Sequence, residues 1–181
     1  LDIADIVGPL KRWLQLLATN VPDANVMVVG THCNVDPTAF EKMRGEIDKE
    51  VNTEIDRLRH VTSRQATATR QVFGQQQGTV NKFLESISQQ LAPMRIPAPQ
   101  PNVSDIDTFL KKLPDANFKS KSRIRQNAES LLQSVKMLEN TRLRLGRLFG
   151  VHDGSIPSAS ATAACLKLVN RRSFAVDSVD G

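Results

Sequence analysis

The sequence is poor in the residues from which base-stacking, disulfide-bonded and zinc-binding sites are built. Its 181 residues include no tyrosine, one tryptophan and two cysteines, and aromatic residues make up 4% of the chain. Single-stranded nucleic acids are bound largely by stacking bases on aromatic rings, so this composition disfavours that class of binding protein. Cys33 and Cys165 are too few and too isolated for a disulfide framework or a zinc site, which favours a reducing, cytoplasmic setting.

Several functional motifs are missing as well. The sequence has no nucleophile elbow, no His-x-x-x-His, no Cys-x-x-Cys and no Gly-x-x-x-x-Gly-Lys-Ser/Thr phosphate-binding loop. No apolar run approaches the ~20 residues that a membrane helix needs, so we expect no transmembrane segment. The chain opens at Leu1, without a methionine or a signal-like sequence. We therefore expect it to lie within a longer protein.

Positive charge is concentrated in one part of the chain. The formal net charge is +5, and residues 111–147 hold ten Lys or Arg against three acidic residues. Such a segment is either a solvated helix face or a surface that attracts acidic partners, phosphate or an anionic membrane. Nucleic acid is the least favoured partner, because no nucleic-acid-binding motif accompanies the charge.

Apolar spacing predicts short strands near the two ends of the chain. Residues 3–19 repeat apolar side chains with a helical period. The run at 26–29 predicts a strand that is buried on both faces, as in a parallel sheet covered by helices. Further strands are predicted at 166–169 and 173–176, after a flexible loop at 151–164.

The middle of the chain predicts helices. Asp36 and Pro37 favour a helix start, and a long apolar stripe follows, with a break near residues 74–78 at two glycines. A proline-rich stretch at 93–101 predicts an extended connector. Ser104 is the expected cap of a short helix at 105–113. A last helical stripe begins at Ile124, and we expect it to pack on the helix at 43–61.

Two segments resemble a known family. Trp13 and Leu14, followed by Val28-Val29-Gly30-Thr31-His32, resemble the Roc (Ras-of-complex) GTPase domain of Roco proteins, whose guanine-specificity loop reads Gly-Thr-His-x-Asp. Residues 173–181, SFAVDSVDG, resemble the later strand and the loop that closes over the base. The resemblance implies a multidomain signalling protein whose intact domain binds GTP or GDP with Mg and hydrolyses GTP.

The resemblance also assigns base-binding residues. Thr31 and His32 take the positions that place the base, and Asn34 stands where the family has an aspartate. An aspartate accepts hydrogen bonds from two donors of guanine, whereas an asparagine offers one acceptor oxygen and sets its NH₂ group against a donor. We therefore expect weakened guanine selectivity and a relative preference for xanthine.

Three more residues have two interpretations each. Asp36 either contacts guanine or only caps the helix that begins beside it. Asp177 and Ser178 either offer backbone amides to the base or are turn residues.

Together these features predict an α/β fold. Residues 1–37 and 165–181 form a partial Ras-like parallel sheet flanked by helices, and residues 38–150 form a long, predominantly α-helical insertion. Because the phosphate-binding loop is missing, we expect this chain alone to be inactive and to bind no cofactor tightly. The alternative is a non-enzymatic α-helical protein-interaction module. In either case the helical block binds a protein partner or a second copy of the chain.

Overall fold

The computed structural model describes residues 3–29, 37–113, 119–151, 153, 155–158 and 160–169. These residues form four α-helices and one strand pair: α1 (Ile3–Asn20), β1 (Asn25–Val26), α2 (Pro37–Leu91), α3 (Val103–Lys112), α4 (Lys119–Leu148) and β2 (Lys167–Leu168). A 3-10 turn, Ala92–Met94, follows α2 directly. The chain divides into two compact units. The first unit comprises Leu1–Ala66 and Gly146–Gly181, and the second comprises Thr67–Leu145.

The predicted α/β fold with a partial Ras-like sheet is wrong. Helices hold 76% of the described residues, and each strand has only two residues. Val26 is buried, but Met27 and Val29 are 53% and 61% exposed. Successive strand residues point to opposite faces, so only one face of this segment packs on helices. The continuous apolar run at 26–29 is therefore not a strand in the interior of a larger sheet.

The first unit has its own apolar core. Helix α1 confirms the helical period predicted for residues 3–19 and packs against the first part of α2 and the strand pair. The buried side chains are Leu14, Val26, Val51, Ile55, Leu58 and Leu166. At about 25 cal/mol per Å² of apolar surface, this burial is the main stabilising contribution in the unit.

The two strands of the first unit run parallel. Asn25 pairs with Lys167 and Val26 with Leu168. The amides of Lys167 and Val169 donate to the carbonyls of Ala24 and Val26 at 3.0 and 2.8 Å. The strand predicted at 166–169 is thus confirmed, while the one predicted at 173–176 lies outside the described residues.

Helix α2 is continuous through Gly74 and Gly78, where the sequence predicted a break. In a helix a glycine is less favourable than an alanine by about 1 kcal/mol of free energy. Packing of the same helix offsets this cost. The packed stripe continues past both glycines through Ala66, Thr69, Phe73 and Val80. Thr69 is a polar residue at one of these buried positions. The apolar stripe is therefore less evident in the sequence than the buried stripe is in the structure.

The second unit is built around α4. Its predicted stripe is confirmed, with Ile124, Ala128, Leu131 and Val135 all buried. The expected partner at residues 43–61 is wrong. The stripe instead packs on the 80–91 part of α2 and on Ile106 of α3, in one buried cluster. Short connections place consecutive helices side by side, which explains this preference for the nearer part of α2.

Helix α3 begins two residues earlier than predicted. Asn102, and not Ser104, is its cap, since the Asn102 side chain accepts a hydrogen bond from the Asp105 amide at 2.9 Å. Asparagine and serine are comparable caps, so the sequence alone does not choose between these two positions.

Among the described helices, none combines the length and the apolar character that crossing a membrane requires.

Candidate functional site

The predicted base-binding residues lie outside the described residues. They are Thr31, His32, Asn34, Asp36, Asp177 and Ser178. The structure does describe the strands that precede them. Because β1 and β2 are parallel, both strands end at the same edge of the pair, β1 at Val26 and β2 at Leu168. In α/β proteins ligands bind beyond this edge of a parallel sheet.

A groove of about 760 Å³ opens on the surface of the second unit. Buried Leu91 and Ile124 and the ring of Phe109 contribute to its lining. Met94 and Ile96 also line it, and they are 43% and 45% exposed. Protein sites that bind ligands are typically concave, mainly apolar and of this volume.

The end of α2 positions the first wall of the groove. Arg95 has a positive φ of 55°, its amide donates to Ala92, and the Ile96 amide donates to Leu91. This pair of bonds is the Schellman arrangement that ends a helix and redirects the chain. Pro97 and Pro99 then hold the connector out of helical geometry, because proline lacks an amide hydrogen and fixes φ. The connector thereby lines the groove instead of extending α2.

Helix α3 provides the second wall. Asp105, Thr108, Phe109 and Lys112 line the groove, and their spacing of three, one and three residues places them on one helix face. The Thr108 hydroxyl donates to the Ser104 carbonyl at 2.8 Å, so its oxygen is left to accept a hydrogen bond. An acidic group, a hydroxyl and a basic group thus follow one another along a groove whose other lining residues are apolar except for Gln100.

The predicted basic surface is largely separate from this groove. Arg123, Lys136, Arg142 and Arg144 are exposed along α4, and none of them lines the groove. Lys112 is the only basic residue among the described lining residues. The positive charge therefore does not converge on the groove, and its role as a solvated face or as a binding surface stays a prediction.

A buried carboxylate in the first unit has a structural role. Glu54 accepts hydrogen bonds from Gln15 Nε2 at 3.0 Å and from Arg57 Nε and Nη2 at 2.8 and 2.6 Å. The bonds from Arg57 are the main reason that the pKa of Glu54 is lowered. A carboxylate held ionised in this way is unsuited to donate a proton as a general acid.

Nearby, Lys11 Nζ lies 2.7 Å from Glu50 and lowers the pKa of that carboxyl too, through a hydrogen bond and its charge. Within the described ranges, no group of three or more His, Cys, Asp or Glu residues is arranged to hold a metal ion. The polar contacts of Glu50 and Glu54 with α1 connect the two helices.

The groove was not among the features predicted from the sequence, where the prolines of residues 93–101 indicated only a connector. Two signals were present. Met94 and Ile96 are apolar residues beyond the end of α2, and α3 carries Phe109 beside the polar positions 105, 108 and 112. Comparison with known proteins adds nothing to this site, since no protein-family model, curated protein or solved structure matches the chain.

Proposed function

We propose that this chain is a non-enzymatic α-helical protein-interaction module whose binding surface is the groove of the second unit. The observation that carries the proposal is an apolar groove of about 760 Å³ that is open to solvent. Apolar side chains at a groove mouth lose contact with water when a partner covers them, which favours binding. Met94 and Ile96 are such side chains.

The shape of the site favours a peptide segment as its occupant. One wall of the groove is the short helix α3, and the other is an extended, proline-containing connector. The lining residues therefore run along the length of α3. Amphipathic helices commonly bind grooves of this type by inserting apolar side chains at spacings of three and four residues. We therefore expect a short amphipathic segment of another protein to bind here.

The proposal is tested by selecting binders to the full 181-residue chain from a phage-displayed library of random 16-residue peptides. Thr108→Trp fills the groove from an exposed position of α3. Ser104→Trp introduces the same side chain on the same helix at a residue that does not line the groove. We expect selected peptides to lose at least tenfold in affinity on Thr108→Trp and to keep their affinity on Ser104→Trp. A selection that yields no such peptide contradicts the proposed function.

Guanine-nucleotide binding is a second candidate, which the strand pairing favours. The parallel pair directs the ends of β1 and β2 to one edge, and Asn34 and Asp177 come after these strands in the sequence. The 181 residues contain no phosphate-binding loop, so this function requires a Gly-x-x-x-x-Gly-Lys-Ser/Thr motif elsewhere in the same protein. Finding that motif encoded upstream of Leu1 would support it.

The affinity of this chain for nucleotide is measurable directly. Since phosphate and Mg contacts supply much of the binding energy and the chain contains no phosphate-binding loop, we expect only weak binding. Titration with a fluorescent GTP analogue checks this expectation, and micromolar or tighter binding contradicts it.

A further inference from the structure

We infer that the groove selects peptide segments with a charge at each end of their apolar face, a basic group facing Asp105 and an acidic group facing Lys112. The inference rests on the proposed function, because it names the chemistry of the partner at the same groove. It goes beyond that function by fixing which charges the partner carries and in which direction it lies.

The first observation is the placement of the two charges. Asp105 lies in the first turn of α3 and Lys112 in its last turn, and both line the groove. Seven residues of helix separate them, which corresponds to roughly 10 Å along the axis. A helical partner segment lying along α3 spans that distance in two turns. Its charged residues must therefore be separated by about two turns, with apolar residues between them.

The second observation is that both charges lack a partner within the described part of the chain. Neither Asp105 nor Lys112 forms an ion pair there, whereas Asp107 and Lys111 of the same helix pair at 2.6 Å. Asp107 and Lys111 do not line the groove. The charges that face the groove are thus available to a partner, and the neighbouring pair is already satisfied.

The third observation is the apolar lining of the groove. Phe109 lies between Asp105 and Lys112 in sequence, and the lining also includes Met94 and Ile96, which are 43% and 45% exposed. Ion pairs at the edge of an apolar contact contribute more to orientation and partner choice than to affinity. The apolar side chains of the partner therefore supply most of the binding free energy, and the two charges set its direction.

A purely structural explanation exists for the same two charges. An acidic residue in the first turn and a basic residue in the last turn both interact favourably with the helix dipole. That role affects the stability of α3 and is independent of the sequence of any bound peptide. A charge exchange between protein and peptide therefore distinguishes the two roles.

The experiment uses peptides selected on the full chain that lose affinity on Thr108→Trp. Their binding is measured by fluorescence anisotropy to Lys112→Glu, to Asp105→Lys and to the control Lys111→Glu. We expect Lys112→Glu and Asp105→Lys each to weaken binding at least fivefold and Lys111→Glu to leave it within twofold. Replacing the acidic residue of the peptide by lysine is expected to restore binding to Lys112→Glu. Far-ultraviolet circular dichroism verifies that each variant is folded.

Each outcome decides between the two proposals. Peptides that depend on the groove but respond equally to Lys112→Glu and Lys111→Glu overturn the inferred charge pattern and leave the proposed function standing. The same holds if the peptide exchange fails to restore binding to a folded Lys112→Glu chain. If no selected peptide depends on the groove, the proposed function and this inference both fall.

Discussion

Glu54 is a residue of α2 whose side chain contacts α1 in the first unit and is 7% exposed. Nitrogen atoms of Gln15 and Arg57 donate to its oxygens. Glu54→Gln keeps the shape but removes the charge, and hydrogen bonds to charged groups contribute about 1.5–3 kcal/mol. Because Arg57 is half-exposed, we expect a loss near the lower end of that range at pH 7. Urea unfolding followed by fluorescence of the single tryptophan, Trp13, measures it.

The pH dependence of this loss follows from the lowered pKa of Glu54. A lowered folded-state pKa adds stability above the unfolded-state pKa, about 4.3, and this stability is lost as pH falls through the folded-state pKa. The difference between wild type and Glu54→Gln is therefore expected to be largest near pH 7 and to shrink below pH 4. Glu50→Gln serves as the control, since its ion pair with Lys11 is partly exposed and a smaller effect is expected. A difference for Glu54→Gln that is constant with pH contradicts this account.

Leu131 and Met137 lie on one helix, α4, in opposite environments. Leu131 is fully buried in the core of the second unit, while Met137 is 58% exposed. Truncating a buried leucine to alanine removes apolar contacts and leaves a cavity, at a cost of about 2–5 kcal/mol. We expect Leu131→Ala to lose that amount of unfolding free energy and Met137→Ala to change it by less than about 0.5 kcal/mol. Chemical unfolding followed by circular dichroism tests both, and equal effects contradict the described orientation of α4.

At the scale of secondary-structure elements, the glycines of α2 are expected to weaken it. Apart from the adjoining residues and backbone of α2 itself, a methyl group added at Gly74 or Gly78 meets no atom within 4 Å. Alanine is favoured over glycine in a helix by about 1 kcal/mol. We therefore expect Gly74→Ala and Gly78→Ala each to raise the unfolding free energy by about 0.5–1 kcal/mol. Thermal melts followed at 222 nm measure the change, and a destabilised Gly74→Ala chain contradicts a continuous, uncrowded α2.

The end of α4 offers the opposite case for a glycine. Gly150 has a φ of +65°, its amide donates to Arg147, and the Val151 amide donates to Gly146. This is again a Schellman arrangement, and residues other than glycine lose about 1–2 kcal/mol in the left-handed conformation. Gly150→Ala is therefore expected to lower the melting temperature. An unchanged or raised melting temperature would show that the turn accepts a side chain.

Helices were more predictable from this sequence than the sheet or the groove. The period of three and four residues in α1 and α4 reflects burial of one stripe, and that relation holds whatever the stripe packs against. The helix against which a stripe packs depends on how the connectors turn the chain. The predicted contact of the α4 stripe with residues 43–61 was therefore wrong. The prediction that the strand at 26–29 belongs to a larger sheet was wrong for a related reason. Apolar residues show that a strand is possible, but they do not show how many strands join it.

Residues that line the groove are visible in the sequence, but the groove itself was not predictable, because it depends on backbone conformations that the residue types do not specify. Arg95 adopts a positive φ, which a residue other than glycine seldom does. This turn brings Met94 and Ile96 to the groove that α3 also lines. The predicted base-binding loops stay predictions, as they lie outside the described residues.

At the scale of the whole molecule, the described chain contains two separate apolar cores. The core of the first unit draws on α1, on α2 up to Leu58 and on both strands. The core of the second unit draws on α2 from Val80 onward, on α3 and on α4. Helix α2 contributes to both cores, which explains how one helix of 55 residues belongs to two units.

Since its buried cluster comes entirely from its own residues, the second unit is expected to fold alone. A chain of residues 67–145 should give a strongly helical spectrum and one cooperative thermal transition. Leu131→Ala in this chain should lower the melting temperature by about 10 °C or more, since 1 kcal/mol shifts a domain of this size by 4–8 °C. The chain should also bind the peptides that depend on the groove, with the same loss on Thr108→Trp. A disordered spectrum or a gradual melt would show instead that residues 67–145 need the first unit in order to fold.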